Sequence, residues 1–449
     1  MKLCKKGGDE RYTVMRKFKK NDRNQLMLLP PNLNDWLPAD HVARFLAETV
    51  EHLDLKLFYA IHEEAGGGPA PYAPEIMLSI LIYGYMTGIY SSRKLEDATW
   101  TDVAFRYLST GLHPDHDTIA DFRKRHEVAI IRAFEQVVDI AMQAKIVRLG
   151  HVSVDGTKIR ANASKEKRRS KEQLHGEAQT LKSWIGDAIK QSESVDEEED
   201  QEFGKGNNGY RLPNGFKTPE QRAEVIEKAL KELEQQRRER EKEDPDGKKR
   251  RAREAKKGGH ETENINLTDF DSRTMMFRNG VFDEGYNTQI VVDDDHGIIV
   301  AADVSQNGGD KCELLPMVLQ VENNTGWLPD RVTADAGYFS ESQMKDPRVK
   351  TVEFYVKPRK QKVTRAKPTK PTFGDCMRER MESPVAQVLY RMRMTLVEPA
   401  FGAIKQARGF RQFKLRGIQG VKAEWSLVCI AHNLKKMFKL NPRLEALLA

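Results

Sequence analysis

Two strand-like segments, each running into an acidic residue with a glycine close behind, constrain this chain most. HVSVDGTKI alternates apolar and polar side chains and carries Asp155 and Gly156, and VTADAGY ends its apolar run at Asp335, just before Gly337. Such alternation predicts half-buried strands. A strand holds a carboxylate rigidly at one point of a sheet, and we expect the two glycines to leave room for a phosphate backbone to approach.

The order of the other segments predicts the fold. After a long gap, YNTQIVVDDD and IIVAADVS are predicted strands, KCELLPMVLQVENNT a helix, SESQMKD a short helix and VEFYV a strand. A basic, proline-rich loop follows, and then helix from about Val385 to the end, with a break at Gly417 and Gly420. Apart from the gap, this is the order of an α/β ribonuclease H-like fold, a mixed sheet flanked by helices.

Two further regions differ from these segments in the pattern of their residues. Residues 40–146 predict an all-helical domain, whose last long helix would be capped by Asp117. Residues from Ser164 to about Glu261 are polar and dense in charge, including the basic run KKRRAREAKK. They predict a helical pair or a disordered insertion, with too few apolar residues for a core of its own.

We therefore predict four parts. They are an N-terminal arm (1–39), a helical DNA-binding domain (40–148), a ribonuclease H-like catalytic domain (149–163 and 280–440) and a charged insertion (164–279).

Composition excludes some classes of protein. The net charge of +7 is compatible with nucleic acid binding. Four widely separated cysteines without a CxxC pair argue against a zinc site or a disulfide framework. Because the longest apolar stretch is too short to span a bilayer and no signal peptide is apparent, we expect a cytoplasmic protein without membrane contact.

Three carboxylates form the candidate active site. Asp155 and Asp335 follow strands, and Glu398 lies in the predicted helix YRMRMTLVEPAFGAIK, from which it would reach the same point. Hard carboxylate oxygens suit Mg²⁺, and two such ions serve phosphodiester cleavage. Taken singly, each aspartate also fits a turn or cap residue, and the glutamate fits a helix surface.

The chain resembles the DDE-type transposases of bacterial insertion sequences over nearly its full length. The resemblance rests on PDHDTIADFRKRH, VSVDGTKIRANAS, EGYNTQIVVD, VTADAGY and the long segment that contains Glu398. It implies a DDE triad at Asp155, Asp335 and Glu398, dependence on Mg²⁺ with Mn²⁺ as a substitute, binding of terminal inverted repeats and target DNA, and a homodimer on DNA.

Many relatives also carry a Tyr-Arg-Glu-Lys signature, which implies DNA contacts for Tyr390, Arg393 and Lys405. The gap between Arg393 and Glu398 holds four residues where the signature has three. In a continuous helix the extra residue turns Tyr390 and Arg393 by about 100° relative to Glu398. Lys405, about two turns after Glu398, would face the metal site.

Other basic residues are candidates for DNA contact. Arg408 and Arg411 belong to a basic run interleaved with Phe410 and Phe413, which fits either a DNA surface or a core-facing aromatic pair. Basic residues of the helical domain would grip the element ends or form a solvated face: Arg93, Lys94, Arg123, Lys124 and Arg125. Asn287 and Gln289 share one face of a strand, where they would orient groups near the site or sit on an edge strand.

The sequence thus predicts a transposase that cuts DNA at element ends and joins them to target DNA. A nuclease of the same fold that cuts without joining is an alternative. A non-catalytic DNA-binding descendant is another, although it would be expected to lack at least one of the three acids.

Overall fold

A mixed β-sheet lies at the centre of the molecule. The structure is a computed structural model that describes residues 32–63, 71–183, 217–243, 264–358 and 371–448. Its strands are β1 (Val152–Arg160), β2 (Arg168–Ser170), β3 (Asn264–Asn266), β4 (Arg273–Met276), β5 (Phe282–Asp293), β6 (Ile299–Ser305), β7 (Arg331–Ala334) and β8 (Glu353–Val356).

The strand order confirms the predicted ribonuclease H-like fold. β1 pairs antiparallel with β5 on one side and parallel with β7 on the other, and β8 continues parallel beside β7. The far edge of β5 is shared by β6 and by β4, which lies within the predicted insertion. At the start of β1 the consecutive residues Val152, Ser153 and Val154 are all fully buried, so both faces of the strand are covered there and the apolar alternation of the sequence does not appear as alternating burial.

Helices surround this sheet. They are α1 (Val42–Glu51), α2 (Lys56–Glu63), α3 (Pro74–Thr87), α4 (Ser92–Thr101), α5 (Val103–Leu108), α6 (His116–Arg125), α7 (Glu127–Gln143), α8 (171–183), α9 (Lys217–Glu243), α10 (Leu314–Thr325), α11 (Glu341–Met344), α12 (Phe373–Glu382), α13 (Pro384–Gly402), α14 (Ile418–Leu440) and α15 (Leu444–Leu448). Short 3₁₀ turns occur at Leu33–Trp36, Lys165–Lys167 and Pro347–Val349.

The N-terminal region is all-helical, as predicted, but two of its predicted helices are divided. Asp102 ends α4 and caps α5 through the amides that follow it. The predicted long helix is the pair α6 and α7, which meet at His126. Asp115 caps α6 because its carboxylate accepts a hydrogen bond from the Thr118 amide; the cap predicted at Asp117 was wrong.

The helical domain and the sheet share one hydrophobic core. α14 packs against α3 and α7 of the helical domain and also against β6, while α13 packs against β1 and β7. The buried side chains of all these elements form one continuous cluster. The helical domain is therefore fixed to the catalytic fold through α14.

The insertion has a small core, contrary to the sequence-based prediction. α8, α9 and the β2–β3 pair enclose a second cluster formed by Leu174, Ile226, Ala229, Leu233 and Ile265. Three of these residues recur at helical spacing on one face of α9, so a few apolar residues suffice for a small cluster. Residues 248–257, the basic run, lie outside the described part of the chain.

The break in the C-terminal helical region begins earlier and is longer than predicted, and the break predicted at Gly420 was wrong because Gly420 lies inside α14. α13 continues into a π-helical turn at Ala403–Ala407, and residues 408–416 then run without helix to the start of α14. Gln412 in this segment bridges to Arg160 at the end of β1. The segment therefore joins the sheet, which the sequence did not reveal.

Candidate active site

Parallel pairing of β1 with β7 brings Asp155 and Asp335 together. The last paired residues are Val154 and Ala334, so the two aspartates follow them side by side. The Asp335 Oδ1 atom accepts a hydrogen bond from the Gly337 amide at 2.6 Å, and the Asp155 Oδ1 atom accepts one from Gly156 at 2.9 Å. Both carboxylates are thus held at one point of the sheet.

Burial raises the pKa of Asp155 to about 6. The negative charges of Asp335 and Asp310 raise it further, whereas the Gly156 hydrogen bond and the Arg393 guanidinium act in the opposite direction. Carboxylates gathered in this way repel one another unless a cation lies among them.

The two glycines have a different role from the one predicted. A Cβ on Gly156 would lie 2.9 Å from Cδ of Gln289, and one on Gly337 would lie 2.7 Å from Oδ1 of Asp335. The space beside each glycine is therefore filled by the protein's own polar side chains. The prediction that this space is left for a phosphate backbone was wrong.

α13 turns Arg393 toward the site. Its guanidinium Nη1 atom lies 3.4 Å from Oδ2 of Asp155. The guanidinium carbon also lies over the Tyr390 ring, 5.3 Å from the ring centroid. Glu398 is exposed, and within the described residues its carboxylate has no hydrogen bond or ion pair. Five residues of helix rotate it by about 140° from Arg393, so this structure does not bring Glu398 to the two aspartates.

A third acid near Asp155 and Asp335 was not among the residues predicted from the sequence. Asp310, in the loop between β6 and α10, accepts hydrogen bonds from the side-chain amides of Asn287 at 2.8 Å and Gln289 at 3.1 Å. Both amide residues lie on β5, a central strand, so the edge-strand interpretation of this pair was wrong. Their two-residue spacing on one strand face was the signal that a shared polar partner lies above that face.

Lys405 lies beside the same strand. Its ammonium donates to the Thr157 hydroxyl and, at 3.0 Å, to the Lys158 carbonyl oxygen. Burial lowers its pKa to about 8, and the nearby charges of Arg278 and Arg411 act in the same direction. Lys405, Arg278 and Arg411 therefore form a cluster of cations next to β1.

Of the two arginines in the 408–416 segment that were predicted to contact DNA, one is buried and one is exposed. Arg408, 8% exposed, donates to the Ala403 and Val428 carbonyl oxygens. Phe410 and Phe413 in the same segment are also buried, which favours the core interpretation of that run. Arg411 is exposed and donates to Gln406, so it alone of the two predicted arginines of this run reaches the surface.

In the helical domain, too, one of the predicted DNA-contact residues is buried and the others are exposed. Arg123, 4% exposed, donates to the Tyr90 carbonyl oxygen at 3.0 Å and to the Ser92 hydroxyl at 2.6 Å. Its side chain is therefore part of the interior and does not offer a DNA contact. Lys124 and Arg125 are exposed, and Arg125 pairs with Asp121 one turn earlier.

A separate acidic cluster lies in the turn after β5. Within the described residues, carboxylate oxygens of Asp293, Asp294 and Asp295 come within 4.8 Å of one another. Asp293 accepts hydrogen bonds from the Leu149 and Asp295 amides. The first of these bonds ties Asp293 to the segment before β1 and the second closes the turn between β5 and β6, so we assign the cluster a structural role distinct from the Asp155 site.

Two family models match the chain. Residues 31–125 match one described as Transposase domain (DUF772), and residues 269–434 match one described as Transposase DDE domain. The chain belongs to the DDE-type transposases. No curated protein and no solved structure matches it.

Membership of this family implies that the transposase binds DNA and depends on a divalent metal. The DDE match includes Asp335 and Glu398 but begins after Asp155, because the insertion separates β1 from the rest of the sheet. In the folded chain, β1 pairs with β5 and β7, so Asp155 lies beside strands that belong to the matched region. None of the described helices of this transposase has the length and apolarity that a membrane span requires.

Proposed function

We propose that this transposase cuts DNA at the ends of its element and joins the freed 3′ ends to target DNA, using Asp155, Asp335 and Glu398 with Mg²⁺ or Mn²⁺. The observation that carries the proposal is the adjacency of Asp155 and Asp335 on parallel strands of a DDE-family fold. Joining exchanges one phosphodiester for another, since the 3′ hydroxyl forms a new P–O bond as a target P–O bond breaks.

The donor set fits a hard divalent cation. Asp155 and Asp335 follow adjacent parallel strands and offer hard carboxylate oxygens, which are the ligands that Mg²⁺ prefers. When bound, two such cations supply an activated nucleophile and stabilise the leaving oxygen. The protein's own part is to fix its carboxylates there, which the Gly156 and Gly337 amides support.

Glu398 is assigned to the active site because it occupies the glutamate position of the family motif. It lies on α13, the helix that packs against β1 and β7, but it is exposed and makes no hydrogen bond or ion pair within the described residues. We propose that it joins the site only when DNA is bound, through a rotation of this part of α13. The neighbouring Pro399 and the π-helical turn at Ala403–Ala407 interrupt regular helical hydrogen bonding there.

If Glu398 joins the site only on DNA, Glu398→Gln should affect DNA cleavage but not metal binding by the free protein. The variant should bind Mn²⁺ as the intact chain does in the absence of DNA, yet should not cut a DNA fragment that carries the element's ends. Manganese titration and gel-resolved cleavage measure the two. Cleavage at the intact rate by Glu398→Gln would remove this residue from the active site.

The same assay tests the function as a whole. Intact protein should cut the ends with Mg²⁺ or Mn²⁺ and should join pre-cut ends to a target plasmid. Cutting without joining would identify a nuclease, and end binding without cutting would identify a non-catalytic descendant.

The DNA backbone would run along the positively charged side chains beside β1. We propose that Lys405, Arg278 and Arg411, which lie together beside β1, contact phosphates, and that the exposed Lys124 and Arg125 of the helical domain contact the terminal repeats. A homodimer on DNA would bring two element ends together.

Lys405→Met should weaken DNA binding regardless of sequence and reduce the slope of log affinity against log salt by about 1. Because the pKa of Lys405 is about 8 in the free protein, the difference between intact and variant chains should shrink as the pH rises past that value. Fluorescence anisotropy at several salt concentrations measures both effects. Lys422→Met, which removes another partly buried lysine, paired with Asp303 at 2.8 Å, is the matched control and should leave the slope unchanged.

A further inference from the structure

Asp310 is held in the acidic site by a dedicated frame of buried polar groups. Its Oδ1 atom receives both the Asn287 and the Gln289 amide hydrogen bonds. These two donors are 1% and 0% exposed, respectively. Buried amides that make such bonds fix the position of the group they contact.

The orientation of the frame is also fixed. The Tyr338 hydroxyl donates to Oε1 of Gln289, so the amide nitrogen of Gln289 must face Asp310. The backbone carbonyl oxygen of Gln289 accepts a hydrogen bond from the Trp425 indole at 3.1 Å. Both ends of Gln289 are therefore set by residues of other elements.

The second carboxylate oxygen of Asp310 lies beside Gly337, close to Asp335. It lies 3.5 Å from the position that a Cβ on Gly337 would occupy, and Oδ1 of Asp335 lies 2.7 Å from that same position. One oxygen of Asp310 is thus used by the frame, while the other has no hydrogen bond within the described residues and lies on the side of Asp335.

A role in anchoring the loop between β6 and α10 would not require Asp310 to carry a charge. Glu313 already ties the loop by accepting hydrogen bonds from Ser305 and Asn307. A neutral side-chain oxygen would serve the two amides equally well, whereas a carboxylate adds repulsion toward Asp155 and Asp335. A divalent cation among these groups turns that repulsion into attraction.

We propose that Asp310 is a fourth carboxylate of the divalent-metal centre, held in place by Asn287 and Gln289 to bind the cation with Asp155 and Asp335. This inference rests on the proposed function, since it needs a metal at that point. It adds a ligand to the site that the DDE triad does not include.

Manganese binding by the full chain without DNA tests the proposal. Asp310→Asn keeps the shape and an acceptor for the two amides, and it should bind Mn²⁺ about 10- to 100-fold more weakly than intact protein, with a thermal midpoint close to that of the intact chain. Asp310→Ser, which removes the carboxylate in another way, should show the same loss. Glu313→Gln, a change of charge in the same loop, is the matched control and should bind as intact protein does.

The outcomes separate this inference from the proposed function. Full Mn²⁺ affinity in folded Asp310→Asn, together with loss in Asp155→Asn, would make Asp310 a loop anchor and overturn the inference alone. Equal Mn²⁺ affinity in intact protein, Asp155→Asn and Asp310→Asn would show that the metal centre lies elsewhere, and both proposals would fall.

Discussion

Asp155→Asn is expected to reduce metal-dependent cleavage of element ends by at least about a thousandfold. A carboxylate that holds the cation contributes several kcal/mol to transition-state stabilisation, and each 1.36 kcal/mol changes a rate tenfold. The amide keeps the size of the side chain and loses its charge. Rates measured at saturating Mg²⁺ with equal amounts of DNA-bound protein isolate this effect.

The same substitution should stabilise the metal-free fold. The pKa of Asp155 is raised from 3.8 to about 6, so the folded state holds its proton more tightly than the unfolded state does. Stability from this group is complete below about pH 4 and is lost as the pH rises to about 6, by up to about 3 kcal/mol. The amide that replaces the carboxyl group cannot ionise, so the variant's advantage should appear across that window and persist above it.

Unfolding of the intact and variant chains in chelator from pH 4 to 7 measures the difference. Burial also raises the pKa of Asp293 to about 6, but this group is present in both proteins and cancels. Asp303→Asn, on neighbouring β6, is the control for loss of a carboxylate on the sheet. A variant that cuts at the intact rate would place the active site elsewhere.

Glu424→Ala should lower the thermal midpoint of the protein by about 3–10 °C. The side chain of Glu424 is fully buried; it accepts hydrogen bonds from the Lys414 and Leu415 amides at 2.8 and 2.9 Å and from the Tyr85 hydroxyl at 2.7 Å. Each buried donor left without a partner costs about 1–3 kcal/mol. Three such donors give a loss of about 3–9 kcal/mol, and an unfolding entropy of about 2.1 cal/mol/K per residue over 449 residues converts this into a shift of about 3–10 °C.

This carboxylate joins three parts of the molecule, because Tyr85 lies on α3, Glu424 on α14 and the two amides in the segment after α13. Tyr85→Phe removes one of its three bonds and should cause a smaller loss. Glu445→Ala, at an exposed position of α15, should change the midpoint little. Melting of Glu424→Ala at the intact temperature would show that its bonds contribute nothing to the docking of α3.

The meeting of Asp155 and Asp335 followed from the sequence alone. Their strands were visible as apolar alternation, and the order of strands and helices specified a fold in which those two strands are parallel neighbours. The helical character of the N-terminal domain followed in the same way from the spacing of apolar residues. These features depend on local periodicity, which each segment carries in itself.

Tertiary structure alone decided which charged side chains face the site, the solvent or the interior. Arg123 and Arg408 belong to the same basic runs as Lys124 and Arg411, yet distant partners such as Tyr90 and Val428 take them inside. The packing of α13 turns Arg393 rather than Glu398 toward Asp155, and a loop with no strand signal brings in Asp310. A charged residue looks the same in sequence whether it meets water, a partner or a metal, because its environment is supplied by residues far away along the chain.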